Sequence, residues 1–185
     1  MRTSTDQNQS ISPAKNNNRA KLIVIIFLAA AVVSVFVVKV YLISEKKRRK
    51  VERIICKTNI LTIGRNLRLY IDDCSGNWPT EDTWCNMLLN REDLYRADFH
   101  CPGTVSGECH YALNKEALGL QFGEENKDMV FIFESKPGWN QVGGRELLSM
   151  ENHKDFGRGC NVLFGDGSAK WISAKEIEAL RWTPE

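Results

Sequence analysis

Apolar residues in this chain fall first in one unbroken block and then at helical intervals. Leu22 to Val38 is 17 residues without a charge, Lys39 follows, and Val40 to Ile43 completes the run. A membrane-crossing helix needs about 20 apolar residues. Lys39 sits near one end, where its methylene stem lets the ammonium reach the headgroups. The block therefore predicts a transmembrane helix over 21–43. Residues 1–20 are polar and aperiodic, and read as a disordered tail. The run passes directly into Lys46, Lys47, Arg48, Arg49 and Lys50. A cleavage site would instead offer small residues there, so the segment reads as an uncleaved signal anchor.

Beyond the anchor the pattern changes. Cys56, Ile60, Ile63, Leu67, Tyr70 and Cys74 recur at spacings of four and three, one stripe of an amphipathic helix. No Pro interrupts the chain between Ala20 and Trp78. The basic flank and this stripe predict a stalk helix over 44–73, ended by Ser75-Gly-Asn-Trp-Pro79. A stripe of this kind needs a partner surface, which residues 74–185 must supply. There, Thr80 caps a short helix through Leu89. Met129–Phe133 reads as a strand. Asn161–Phe164 and Ala169–Ile172 read as a hairpin around Gly165-Asp-Gly167, with both glycines serving positive backbone angles. Ser173-Ala-Lys-Glu176 is a capping box opening a last helix from Ala174 to about Trp182. The fold class expected is α+β, a long N-terminal helix packed on a small antiparallel sheet.

Charge divides the same way. Residues 1–57 hold 12 Lys/Arg against 3 Asp/Glu, and the remainder holds 13 against 20. The basic character belongs to the membrane flanks, which argues against nucleic acid as a partner and for the lipid bilayer. The flanks alone would place the C-terminal domain in the cytoplasm, because the more basic side stays inside. The cysteines argue the opposite. All six (Cys56, Cys74, Cys85, Cys101, Cys109 and Cys160) lie after the apolar run, as expected of disulfides in an oxidising compartment. Cys101–Cys109 closes a local loop, Cys74–Cys85 ties the stalk end to the next helix, and Cys56–Cys160 is the pair that remains. Six reduced, buried thiols are the alternative. The cysteines are given more weight, so the domain is expected outside the cytoplasmic membrane.

The stretch Cys56-Lys-Thr-Asn59 to Leu67, followed by Tyr70-Ile-Asp72-Asp73, Gly76, Trp78 and Pro79, resembles the region just after the membrane in bacterial prepilin-like proteins. These are similar to the major pseudopilin of type II secretion, in the branch expanded in planctomycetes, verrucomicrobia and lentisphaerae. Phe99-His-Cys101-Pro102 and Tyr111-Ala-Leu-Asn114 resemble its middle. His153, Asn161, Asp166 and Gly167 resemble its C-terminal His–spacer–Asp-Gly signature, although the spacer here is longer. The resemblance covers roughly residues 50–172. It implies a pilin-like fold, a cytoplasmic-membrane location, and partners among other pilin-like subunits or secretion components. The Gly and Glu of the prepilin motif Gly-Phe-Thr-Leu-Ile-Glu are absent from Arg19-Ala-Lys-Leu-Ile-Val-Ile-Ile26. Cleavage by a prepilin peptidase is therefore not expected.

Candidate chemistry is sparse. Asp166, Asp155 and Glu151 offer oxygen ligands to calcium, a hard cation, and the resemblance adds weight because major pseudopilins bind calcium in a C-terminal loop. The plainer reading is that Gly-Asp-Gly serves the turn. His100-Cys101 and Cys109-His110 suggest zinc only weakly, since adjacent Cys and His rarely reach one metal together. No nucleophile stands in a catalytic motif, so an enzyme is not expected. The function expected is a membrane-anchored structural or interaction protein of a secretion or envelope assembly. The alternative is a membrane-tethered binding module or metal-dependent enzyme.

Overall fold

The computed structural model describes residues 17–91, 93–153 and 157–184. The chain forms two compact units, one ending at Lys46 and the other running over Lys47–Glu185. A single helix, α1 (Asn17–Asp73, 57 residues), supplies residues to both.

In the first unit the apolar side chains are exposed all round, Phe27 by 71% and Phe36 by 66% of their surface. Among the described residues, the apolar window of this helix is 0% buried. An unpartnered apolar surface of that length is compatible with a single-pass membrane anchor.

In the second unit the expected stripe is buried. Cys56, Ile60, Ile63, Leu67 and Ile71 are essentially inaccessible, while Tyr70 and Cys74 at its end are half-buried. Gly76 N–H donates to Ile71 O, and Ser75 and Gly76 carry φ of 55° and 86°. That is a left-handed helix stop. Helix α2 (Trp84–Leu89) follows. Its start is later than Thr80 because residues 81–83 form a turn closed by Thr83 N–H on Thr80 O.

Five strands make one sheet: β1 (Tyr111–Asn114), β2 (Val130–Glu134), β3 (Val142–Gly143), β4 (Gly159–Phe164) and β5 (Ala169–Ser173). Their order is β3-β1-β2-β4-β5. The sheet is mixed rather than wholly antiparallel, because β3 pairs with β1 in parallel. Strands β1, β2 and β4 are buried at every position, so both faces are covered. Ile60, Ile63, Leu67, Leu113, Phe131 and Leu163 share the cluster on the helix side. Phe133, Val162, Phe164, Ile172 and Ile177 share the cluster on the other.

Two glycines explain how close the layers come. A Cβ on Gly64 of α1 would stand 2.5 Å from Leu163 Cδ2 of β4. Gly165 is required not for a positive angle, as the sequence suggested, but because a Cβ there would collide with the Asn126 backbone. Gly167 does have the positive φ, 82°.

The expected last helix is reduced to a 3₁₀ turn, Ile177–Ala179. Only half of the expected capping box forms: Glu176 Oε2 accepts from Ser173 N–H and Oγ–H, while Glu176 N–H donates to Ser173 O instead of Oγ. Pairing then overrides helix propensity: Val130 N–H donates to Arg181 O, and Asn114 Nδ2 donates to Trp182 O at 2.7 Å.

Candidate functional site

At the Glu134 end of the sheet, on the side facing α1, the stripe ends in chemistry instead of packing. Cys56 is disulfide-bonded to Cys101, with Cα atoms 5.3 Å apart. Beside them lie Glu134 and His153, and one ligand-type atom from each of the four residues falls within 4.8 Å of all the others. None of the four is more than 5% exposed.

Each residue is held by its own element. Cys56 stands one turn before Ile60 on α1, and Tyr111 Oη–H donates to its carbonyl at 3.3 Å. Cys101 follows the 3₁₀ turn Arg96–Phe99. Its N–H donates to His110 Nδ1 at 3.2 Å, and Thr104 Oγ–H donates to its carbonyl at 2.8 Å. Asn59 Nδ2 binds His100 O, fixing this loop to α1. Burial holds His110 below its ordinary value. The acceptor role of Nδ1 agrees with a neutral ring.

Glu134 ends β2 opposite Tyr111. Burial, and then the Glu134 carboxylate, hold the Tyr111 hydroxyl well above its ordinary value. The His153 loop is pinned to the same strand end. Ser149 N–H donates to Glu134 O, Ser149 Oγ–H to Asn152 Oδ1, and Asn152 Nδ2 to Ser135 O. The outcome is His153 Nε2 at 3.4 Å from Cys101 Sγ and 3.2 Å from Glu134 Oε1. Asn161 Nδ2 donates to that same oxygen at 2.7 Å. The other oxygen, Glu134 Oε2, is buried and has no hydrogen-bond partner among the described residues. Trp171, opposite Asn161 in the β4–β5 ladder, meets the His153 ring edge to face at 5.7 Å between centroids, with the Arg53 guanidinium over its own face.

Loops carrying Cys101 and His153 also border a cavity of about 630 Å³, lined among others by Gly103, Lys136, Leu148, Asn152 and Arg158. A Cβ on Gly103 would lie 2.9 Å from His153 Nδ1.

Several sequence expectations are redrawn. The Cys101–Cys109, Cys74–Cys85 and Cys56–Cys160 pairings do not form: Cys101 joins Cys56, while Cys74, Cys85, Cys109 and Cys160 are free thiols. The long-range fold, not spacing in sequence, decides which sulfurs meet. Cys85 instead neighbours Cys109, and burial followed by that neighbour raises its thiol. His100 and His110 meet edge to face at 4.9 Å, but Cys101 is engaged elsewhere, so they assemble no shared site with Cys109.

Of the calcium candidates, Asp155 lies outside the described residues. Asp166 is exposed in the β4–β5 turn and accepts from Ser168 N–H at 2.7 Å. Glu151 borders the cavity at the opposite end of β2. The structure does not bring Asp166 and Glu151 together. Of the signature residues, His153 and Asn161 converge on Glu134, whereas Asp166 and Gly167 stay at the turn. Glu134 itself escaped sequence reading, since Val-Phe-Ile-Phe-Glu reads as a strand with a charge at its edge. The signal was there: an acid closing an apolar strand is rarely buried without a partner.

Lys46, Lys47, Arg48, Arg49 and Lys50 lie on α1, with Arg48 bonded to Glu52 one turn on at 2.6 Å. No family model matches the chain, and neither a curated protein nor a solved structure matches it.

Proposed function

We propose that this chain is a single-pass, pseudopilin-like structural or interaction subunit of a bacterial envelope assembly, with its α+β domain outside the cytoplasmic membrane. One observation carries the reading: a single helix supplies both an uncovered apolar segment and the buried stripe on which the mixed sheet packs. The Cys56–Cys101 disulfide supports the extracytoplasmic side, because such bonds persist in oxidising compartments. The role proposed is structural. Asp166 accepts from Ser168 N–H within its turn.

In-cell crosslinking of the membrane-extracted full chain tests the proposal. Crosslinks to further copies or to other pilin-like or secretion components are expected. A chain recovered only as an uncrosslinked monomer, or in the soluble fraction, contradicts it. The cavity, lined by Lys136, Arg158 and Glu151 among others, favours a second reading, a membrane-tethered binding module for a small polar ligand. Recovery of such a ligand with an otherwise solitary chain would select it.

A further inference from the structure

We propose that Cys56, Cys101, Glu134 and His153 form a zinc site when the two cysteines are reduced, so that disulfide and metal are alternative occupants of one place. Four donors of the kinds zinc takes, two sulfurs, an imidazole and a carboxylate, come from four separate parts of the chain and meet within 4.8 Å. Zinc binds them tetrahedrally, at about 2.3 Å for sulfur and about 2.0–2.2 Å for nitrogen and oxygen. The edges of such a tetrahedron are on the order of 3.4–3.8 Å. His153 Nε2 already stands near that spacing, at 3.4 Å from Cys101 Sγ and 3.2 Å from Glu134 Oε1.

A second observation is independent of this geometry. Glu134 Oε2 is buried with no hydrogen-bond partner among the described residues. A carboxylate oxygen in that condition carries an uncompensated desolvation cost, which a cation among these donors removes. Asn161 Nδ2, on Glu134 Oε1, is the outer hydrogen bond that orients a metal-binding carboxylate. Two thiolates and an imidazole select zinc over calcium or magnesium, which require oxygen shells. Four protein donors leave no open position, so the site is structural rather than catalytic.

The chemistry balances. A phosphine reductant gives two electrons to the S–S bond and leaves as its oxide, taking the oxygen of one water whose two protons end on the sulfurs. The metal then displaces both thiol protons to solvent.

The experiment uses the full chain in detergent micelles, titrated with Co²⁺ as a spectroscopic stand-in for zinc. The phosphine-reduced protein is expected to bind one ion per chain, with intense tetrahedral visible bands and a near-ultraviolet thiolate-to-cobalt band. The disulfide form is expected to show neither. Zinc should bleach the cobalt spectrum. Cys56→Ser should lower the charge-transfer band per bound cobalt, since one of the two thiolates is lost, and Asn161→Ala should weaken affinity about 10–100-fold while keeping the band. Circular dichroism of each variant separates lost ligation from lost folding, and the reduced wild type needs no variant at all. Failure of the reduced wild type to take up cobalt would overturn the proposal. So would an octahedral spectrum without thiolate character, or equal binding by the disulfide form.

Discussion

Asn161 Nδ2 donates to Glu134 Oε1 at 2.7 Å across the β2–β4 ladder, one step beyond the Phe133–Val162 pair. Both residues are fully buried. This bond restrains the acid at the centre of the cluster directly from β4. Replacing Asn161 by Leu keeps the volume and removes the donor. Stability should fall by about 1–3 kcal/mol, the cost of taking a hydrogen bond from a buried carboxylate whose Oε1 then keeps only its contact with His153. Chemical denaturation of the full chain in micelles reads it, and an unchanged midpoint would remove the bond from the account.

The Cys56–Cys101 bond spans 45 residues and joins α1 to the loop before β1. Constraining that loop in the unfolded chain is worth about 2–4 kcal/mol. Reduction in the presence of a chelator should therefore lower the unfolding midpoint, and the Cys56→Ala, Cys101→Ala double variant should unfold at the lower midpoint with or without reductant. A wild-type midpoint indifferent to reductant argues against the bond.

Thiol reactivity should sort by burial. Cys74 is half-buried, whereas Cys85, Cys109 and Cys160 are buried, and burial raises the thiols of Cys85 and Cys160. Only the thiolate alkylates readily. Under native, non-reducing conditions alkylation should mark Cys74 alone. Denaturation should expose Cys85, Cys109 and Cys160 as well, and reduction should add Cys56 and Cys101. Peptide mass mapping distinguishes these stages, and rapid native labelling of Cys160 would contradict the packing described.

Glycine substitutions separate two causes. Gly167 has open space around its Cβ position but a φ of 82°, so Gly167→Val should cost about 1–3 kcal/mol from backbone strain, and Gly167→Asn less. Gly165→Ala places its methyl against the Asn126 backbone, which has no flexible end to yield. It should lower the melting temperature more than Gly167→Asn does. The reverse order would mean that angle, not close approach, rules both positions.

Regular periodicity made much of this fold readable. The stripe from Cys56 to Leu67 and the β4–β5 hairpin follow from 3.6- and two-residue patterns. Strand β1 has four residues buried on both faces and no alternation to see, and β3 has only two residues. The last helix was lost to pairing of Arg181 with Met129, a contact that no local pattern encodes. The cluster was half legible. Cys56 and Cys101 stood out by residue type, and His153 and Asn161 by the resemblance, but their convergence on Glu134 comes from tertiary contacts across 19 to 52 positions.

The central claim is that this domain lies outside the cytoplasmic membrane on a single anchor, and the side of the membrane tests it most directly. Val105 is fully exposed on the loop after Cys101. A Val105→Cys substitution, in a Cys74→Ser background that leaves no other accessible thiol, reports that side with a membrane-impermeant maleimide. Labelling in intact spheroplasts is the result expected. Labelling only after the membrane is broken would place the domain in the cytoplasm and contradict the account.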